Sequence, residues 1–403
     1  MASYAPHIRF QSTVELDIEG SLLTRVNSLK QAPEQPPTTS DKWLLSSALQ
    51  KLIRRGVAAS AVAIAVKLHQ VDPLYLRRRL PIIALEDIGM GDLTVCQEVL
   101  ALCSSSQWWG DDSVKTVTFI ASAMASAIKS RAACDTFCLT EISLDRQLLL
   151  PQLLQLDAVN LIHLACDRCE PQLKRLFALR ILGGITVMER GAYQTLSRCN
   201  LAALDAVAVE LKLPTAVRWL MARQRKTAWM AAMLPVVFEI AHDASIQLGS
   251  MFPRSLDRFE GLPLSTLDQY TQLGKLALRR FYLVSEELQD FARQHIPFRT
   301  PQPLINLAMF QRESSLLERY LGSPQLDALM EATEEAEMLN MGMVDPANRT
   351  QLYRLLENGA DCLAAIRTEI LSHGSVREVI QTNLCDTANE PVNGAQLPSL
   401  RPV

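Results

Sequence analysis

No stretch of about eighteen uncharged apolar residues occurs in the chain, and its start lacks the basic-then-apolar pattern of a secretory leader. Neither a membrane span nor export is therefore expected, and the anticipated location is cytoplasmic. The nine cysteines are an odd count spread through apolar segments, which argues against a disulfide framework and for reduced thiols packed in a core. Aromatic residues are scarce, 6% against 48% hydrophobic overall, so the core has to be built from Leu, Ala, Val and Ile, as in helical proteins. A formal net charge of −3 excludes a chain coated in cation, and any contact with nucleic acid would be a local patch. Linear signatures of catalysis are missing too: no G-x-x-x-x-G-K-S/T loop, no G-x-S-x-G elbow, no H-E-x-x-H helix and no dinucleotide glycine fingerprint. No catalytic residue, metal or cofactor is expected on these grounds.

What is present is helical periodicity. Ser40 and Asp41 suit an N-cap, Leu44, Leu45, Ala48, Leu49, Leu52 and Ile53 recur at helical spacing, and Gly56 stands where a left-handed C-cap is wanted. The opposite face carries Ser47, Gln50, Lys51, Arg54 and Arg55. These cations either complement the helix dipole or meet an anion such as phosphate. Ala58 to His69 reads as a second helix of small residues, and Asp72-Pro73 as the N-cap and first residue of a third. On that third helix Arg77, Arg78 and Arg79 precede Pro81, which should kink it or start a new one. Glu86 and Asp87 follow at a distance suited to pairing with the arginines, and Gly89 to Asp92 marks a stop and restart. Asp92 should cap a helix to about Cys103, and Asp111 or Asp112 one from Ser113 to Arg131. Between them, Trp108 and Trp109 form either a stacking platform or a cover over the core and a helix end.

The series SALQKLIRRG, DPLYLRRRL, ALEDIGMGD and AIKSRAA, from about Trp43 to Ala133, resembles the helical region that follows the ATPase module in the replication-associated recombination protein A family. These are the MgsA-like, Werner-helicase-interacting ATPases of clamp-loader type. The resemblance implies a collar of helices that holds subunits together near DNA. It also implies a homo-oligomer, with DNA or a replication or recombination protein as further partners. Leu85 stands where the family has serine, Pro81 is unusual after the arginine helix, and Ile128 and Arg131 replace a proline and an asparagine. Only about forty residues precede Trp43, and the phosphate-cradling loop is missing, so ATP hydrolysis by the family mechanism is not expected.

Beyond this block the chain keeps reading helical, with no repeat register. Alternation at Ile8, Phe10, Val14, Leu16 and Ile18 suggests one short strand pair or an arm laid against the body within residues 1–30, joined by a proline-rich linker, 31–40. A collar-like domain over 41–143 and a second helical region over 144–248 follow. A C-terminal helical region spans 249–387 and a flexible tail 388–403. Within the C-terminal region Gly249 to Leu267 should be a loop, and one long helix should run from Ser265 to His295. Further helices are expected around Leu316 and Leu317, from Gln325 to Leu339, and from Gln351 to Leu371.

His163, Cys166 and Cys169 form H-x-x-C-x-x-C, but on one helix they would spread around it rather than converge on a metal, so buried structural thiols are the better reading. Glu331, Glu334, Glu335 and Glu337 read as a solvated acidic face. A secondary basic patch gathers Arg218, Arg223, Arg225 and Lys226 around Trp219. The expectation is an all-α protein: a collar-like bundle, a second helical region and a short N-terminal extended arm. It would act without catalysis in DNA replication, recombination or repair. Lys51, Arg54, Arg55, Arg77, Arg78 and Arg79 would make phosphate contacts or intersubunit pairs. Two alternatives stay open. One is a helical enzyme acting on a nucleotide or nucleic acid, with Glu86, Asp87, His163 and His242 in one pocket. The other is a protein-only inhibitor of a host ATPase.

Overall fold

The computed structural model describes residues 36–110, 113–189, 192–223, 229–242, 247–251, 257–297 and 299–372. The expected arm, residues 31–35 of the linker and the tail lie outside the described residues, as do Asp111, Asp112, Arg225 and Lys226. The fold is all-α, about 74% helical.

Helix α1 (Lys42–Arg54) starts on Asp41, whose carboxylate accepts from the backbone N–H groups of Trp43 and Leu44, and ends before Gly56 at φ +67°. Helix α2 (Ala58–Val71) packs its small side chains against α1 and against α5 (Ser113–Ser126). Helix α3 (Pro73–Ile83) begins on Asp72, which accepts from Tyr75 N–H at 3.0 Å, with Pro73 in the first turn. Pro81 sits in its last turn, and the chain continues as a π turn, Ala84–Ile88, then a short 3₁₀ turn to Gly91. Asp92 caps α4 (Leu93–Ser104). Trp108 and Trp109 are half-buried against the core, and the Trp109 indole N–H donates to Leu102 O at 2.9 Å. Helix α5 stops at Ser126 rather than Arg131, because residues from Ile128 leave the helix: Lys129 bridges Tyr320, and Ser130 N–H donates to Asp87 O.

Helices α6 (Ala132–Ile142), α7 (Arg146–Leu153), α8 (Ala158–Cys166) and α9 (Gln172–Gly183) follow. A β-hairpin then interrupts the expected helical run, β1 (Ile185–Glu189) against β2 (Ala192–Ser197). The strand-forming content of ITVME and AYQTLS lies just beyond Gly184 at φ +93°. Helices α10 (Leu201–Glu210), α11 (Thr215–Ala222) and α12 (Leu234–His242) complete this half.

Strand β3 (Gln247–Gly249) ends where the expected loop begins, and that span holds two short strands, β4 (Arg258–Phe259) and β5 (Leu262–Pro263). The single long helix is in fact two, α13 (Gln272–Val284) and α14 (Glu286–His295), because Ser285 caps the second and places Glu286 and Glu287 in its first turn. Leu316 and Leu317 are not helical: α15 (Gln302–Met309) runs into a second π turn, Phe310–Ser314, and the chain then extends toward β6 (Tyr320–Gly322), which pairs with β3. Helix α16 (Pro324–Asn340) precedes α17 (Arg349–Asn358) and α18 (Ala360–Ser372), so the last expected helix is split at Gly359.

Among the described residues the buried apolar side chains form two large cores and a small third cluster, in which Ala132 of α6, Val237 and Ala241 of α12, and Leu326 and Leu329 of α16 meet. Residues from α1 to α12 share the first, so the parts expected as 41–143 and 144–248 pack as one. Residues from α13 to α18 form the second, and Leu44 of α1 joins it while Leu45 joins the first. Helix α1 therefore lies along the seam between cores, and its polar face is enclosed there.

Candidate functional site: a buried charged seam

That enclosure decides the fate of the predicted contact residues. Lys51 keeps 4% of its surface and Arg54 2%, so neither is a surface cation. Lys51 Nζ donates to Asp268 Oδ2 and to Ser47 Oγ, both at 2.6 Å, and Asp268 is itself 2% exposed. Burial pulls the Lys51 ammonium below its ordinary value, partly offset by Asp268. Arg54 uses its whole guanidinium: Nε to Asp87 Oδ1 at 2.7 Å, Nη2 to Glu86 Oε1 at 3.1 Å and Nη1 to Ser314 O at 2.6 Å. Arg55 donates to Glu313 O, and burial lowers its guanidinium to about 10.

The two π turns meet at Arg54. A π turn rotates the chain less per residue than an α-helix, so the neighbours Glu86 and Asp87 both face the same guanidinium. Asp87 also accepts from Gln50 Nε2 at 2.8 Å and stands 3.5 Å from Arg131. Burial acts to raise Glu86, but Arg79, Arg54 and Arg131 outweigh it and hold the carboxyl below its ordinary value. From the second turn, Phe310 offers its ring to Arg54 and Arg131, with centroid distances of 5.5 and 6.0 Å, and to Tyr270 edge-on at 5.2 Å.

Of the three consecutive arginines only Arg79 enters the hub, 3.7 Å from Glu86 and 2.6 Å from Gln50 Oε1. Arg77 caps the end of α4 through Cys103 O and Ser104 O and lies over Trp109, while Arg78 is exposed and donates to Leu74 O. Arg218 pairs with Asp205 at 2.9 Å, and Arg223 stacks on Trp219 at 4.6 Å.

Close backbone approach closes the hub. A Cβ on Gly91 would fall 2.4 Å from Ile128 O, and one on Gly89 2.9 Å from Ser130 O, so the G-M-G turn is what lets the Ile128–Ser130 segment dock. Lys129, 1% exposed, turns its ammonium onto Ala125 O and Ala127 O at the end of α5, and burial lowers it to about 8.

Sequence reasoning missed the acidic side of this region. Glu334 and Glu337 do not lie on a solvated face; α16 packs on α6 and brings them to Asp135. Burial raises Asp135 to about 6, against Arg131 and helped by Glu334 and Asp87. Burial raises Glu337 to about 7, against a 2.6 Å bond from Gln311 and helped by Asp135 and Glu334. The spacing that aligns Glu334 and Glu337 on one helix face was visible, but the helix it meets was not.

His163 and Cys166 sit on α8 and Cys169 in the turn after it, and no group of three or more His, Cys, Asp or Glu among the described residues is placed to hold a metal ion. No described helix is long and apolar enough to cross a membrane. No protein-family model, no curated protein and no solved structure matches this chain.

Proposed function

We propose that this chain is a non-enzymatic helical accessory of DNA replication, recombination or repair, acting by self-assembly and by contact with DNA or a DNA-bound protein. One observation supports this reading. The four segments that carry the resemblance to the replication-associated recombination protein A collar all converge on one hub. Arg54 comes from SALQKLIRRG, Arg79 from DPLYLRRRL, Glu86 and Asp87 from ALEDIGMGD, and Arg131 from AIKSRAA. Motif residues scattered over a quarter of a chain meet in this way when they serve a shared scaffold rather than separate contacts. Phosphate contact, in this reading, falls to Arg78 and the outer edge of Arg77, because Lys51 and Arg54 are enclosed. No phosphate-cradling loop occurs within these 403 residues to supply ATP chemistry.

The test is binding to single-stranded, duplex and forked DNA over a salt series, with the mass in solution measured in parallel. Binding that weakens steeply with salt, and less steeply once Arg77 and Arg78 are changed to Ala, is the expected result. A folded protein that binds none of the three DNA forms and stays monomeric would overturn the reading.

One observation favours a second reading, a helical enzyme. Asp135 at about 6 and Glu337 at about 7 lie beside the Glu86 hub, in the range that suits proton transfer. His163 does not join them, and the His242 side chain lies outside the described residues. Turnover of a nucleotide that is lost in Glu337→Gln, with folding intact, would select this reading.

A further inference from the structure

Away from the hub, a cavity of about 460 Å³ opens where the α8–α9 turn, α12 and the start of α16 meet. Its lining takes in Ile240 of α12, half-buried, with Val236 almost wholly buried behind it, and the polar side chains of Arg168, Arg175, Glu239 and Gln325.

The charges in this cavity do not cancel. Glu239, 7% exposed, accepts from Arg168 Nε at 2.8 Å through one oxygen and from Arg175 Nη2 through the other. One carboxylate thus serves two guanidinium groups. The other acidic wall residue, Glu170, is held by Lys174 at 2.9 Å and brings no spare negative charge. Among the described residues one positive charge is left over. Arg175 is committed, since its Nε donates to Ala165 O at 2.9 Å and it is only 7% exposed. The side chain of Arg168 is 66% exposed, and its two terminal nitrogens meet no partner among the described residues. The surplus charge therefore sits on an accessible planar fork of N–H donors, the geometry that takes a carboxylate in bidentate fashion. Helix α9, twelve residues long, starts at the cavity wall on Pro171 with no side-chain cap, so its positive end adds to the same field.

We infer that this cavity binds a small organic monoanion, a carboxylate carried on a short aliphatic body, with the carboxylate on Arg168 and the body against Ile240. A bare inorganic anion would leave Ile240 and most of the volume unused, and a cation would face the surplus positive charge. The volume lies in the range of small-molecule sites.

Hexanoate is the probe, titrated by calorimetry into the full chain, with hexylamine and inorganic phosphate as controls. Saturable binding of hexanoate in the millimolar range, with neither control binding as tightly, is expected. Arg168→Ala should weaken it at least tenfold, since this exposed side chain leaves Glu239 still paired with Arg175. Gln325→Trp, which places a large ring at the mouth from an exposed position, should abolish it with the thermal melt unchanged. Failure of hexanoate to bind below ~10 mM would overturn the inference. So would binding indifferent to both substitutions, or phosphate or hexylamine binding as tightly.

Discussion

Arg54 and Asp87, 33 positions apart, are joined by a 2.7 Å hydrogen bond in which the two side chains keep 2% and 0% of their surface. The bond ties the end of α1 to the first π turn, and Arg54 Nη1 carries the same link on to the second π turn at Ser314 O. Such a pair is costly to break from one side, because the partner left behind is a buried charge. Asp87→Ala should therefore lower stability by about 3–5 kcal/mol, while Arg78→Ala at the surface should change it by no more than about 0.5 kcal/mol. Urea unfolding of both variants checks this, and a loss under ~1 kcal/mol for Asp87→Ala would show that the hub is not what holds the seam.

Backbone contact makes a second prediction. Gly91→Ala would push a methyl group to 2.4 Å from Ile128 O, whereas a Cβ on Gly110 meets nothing within 4 Å. Gly91→Ala should destabilise by about 1–3 kcal/mol, as overpacking does. Gly110→Ala should leave the melting temperature nearly unchanged, and equal shifts in the two variants would refute the docking of Ile128–Ser130 on the glycine turn.

Acid titration gives a third. Glu337 rises from an ordinary 4.5 to about 7 and Asp135 from 3.8 to about 6, in each case chiefly by burial. Between the two values the folded chain holds a proton that the unfolded chain has released. The stability these groups contribute is therefore full below about pH 4 and is lost as pH rises through about 6 and then about 7. Glu337→Gln should flatten the upper part of that fall in urea titrations at successive pH values; an unchanged slope would contradict the assignment.

Lys129 predicts the opposite slope at alkaline pH. Its value drops from 10.5 to about 8 through burial, so between these limits the unfolded chain binds the extra proton. Stability should climb as pH rises from about 8 to about 10.5, and below about 8 the cost of burying the charge applies in full. Lys129→Met should remove the climb, although the carbonyl caps at Ala125 and Ala127 are lost with it. A climb that persists in the variant would place its origin in another group.

The Cα spacing of Leu45, Leu49, Leu52 and Ile53, the cap at Asp41 and the Asp72-Pro73 start were legible because helix signals are local. The split at Ser285 is equally local, a serine cap followed by two glutamates, but the apolar periodicity that continues across it hides the break. The pairing of opposite charges near Glu86 was foreseen, and Arg79 fulfils it, but the main partner is Arg54 from a different helix.

By itself the sequence determined the all-α class, the starts of α1 to α5 and the composition of the core, because these follow from periodicity, caps and residue size within a few turns. Only the tertiary structure decided that the polar face of α1 is a seam between two cores, not a surface, since that depends on residues more than two hundred positions away: Asp268 on Lys51 and Ser314 on Arg54. A cation reads the same in sequence whether water or a buried carboxylate surrounds it, and the difference is made entirely by what packs over it.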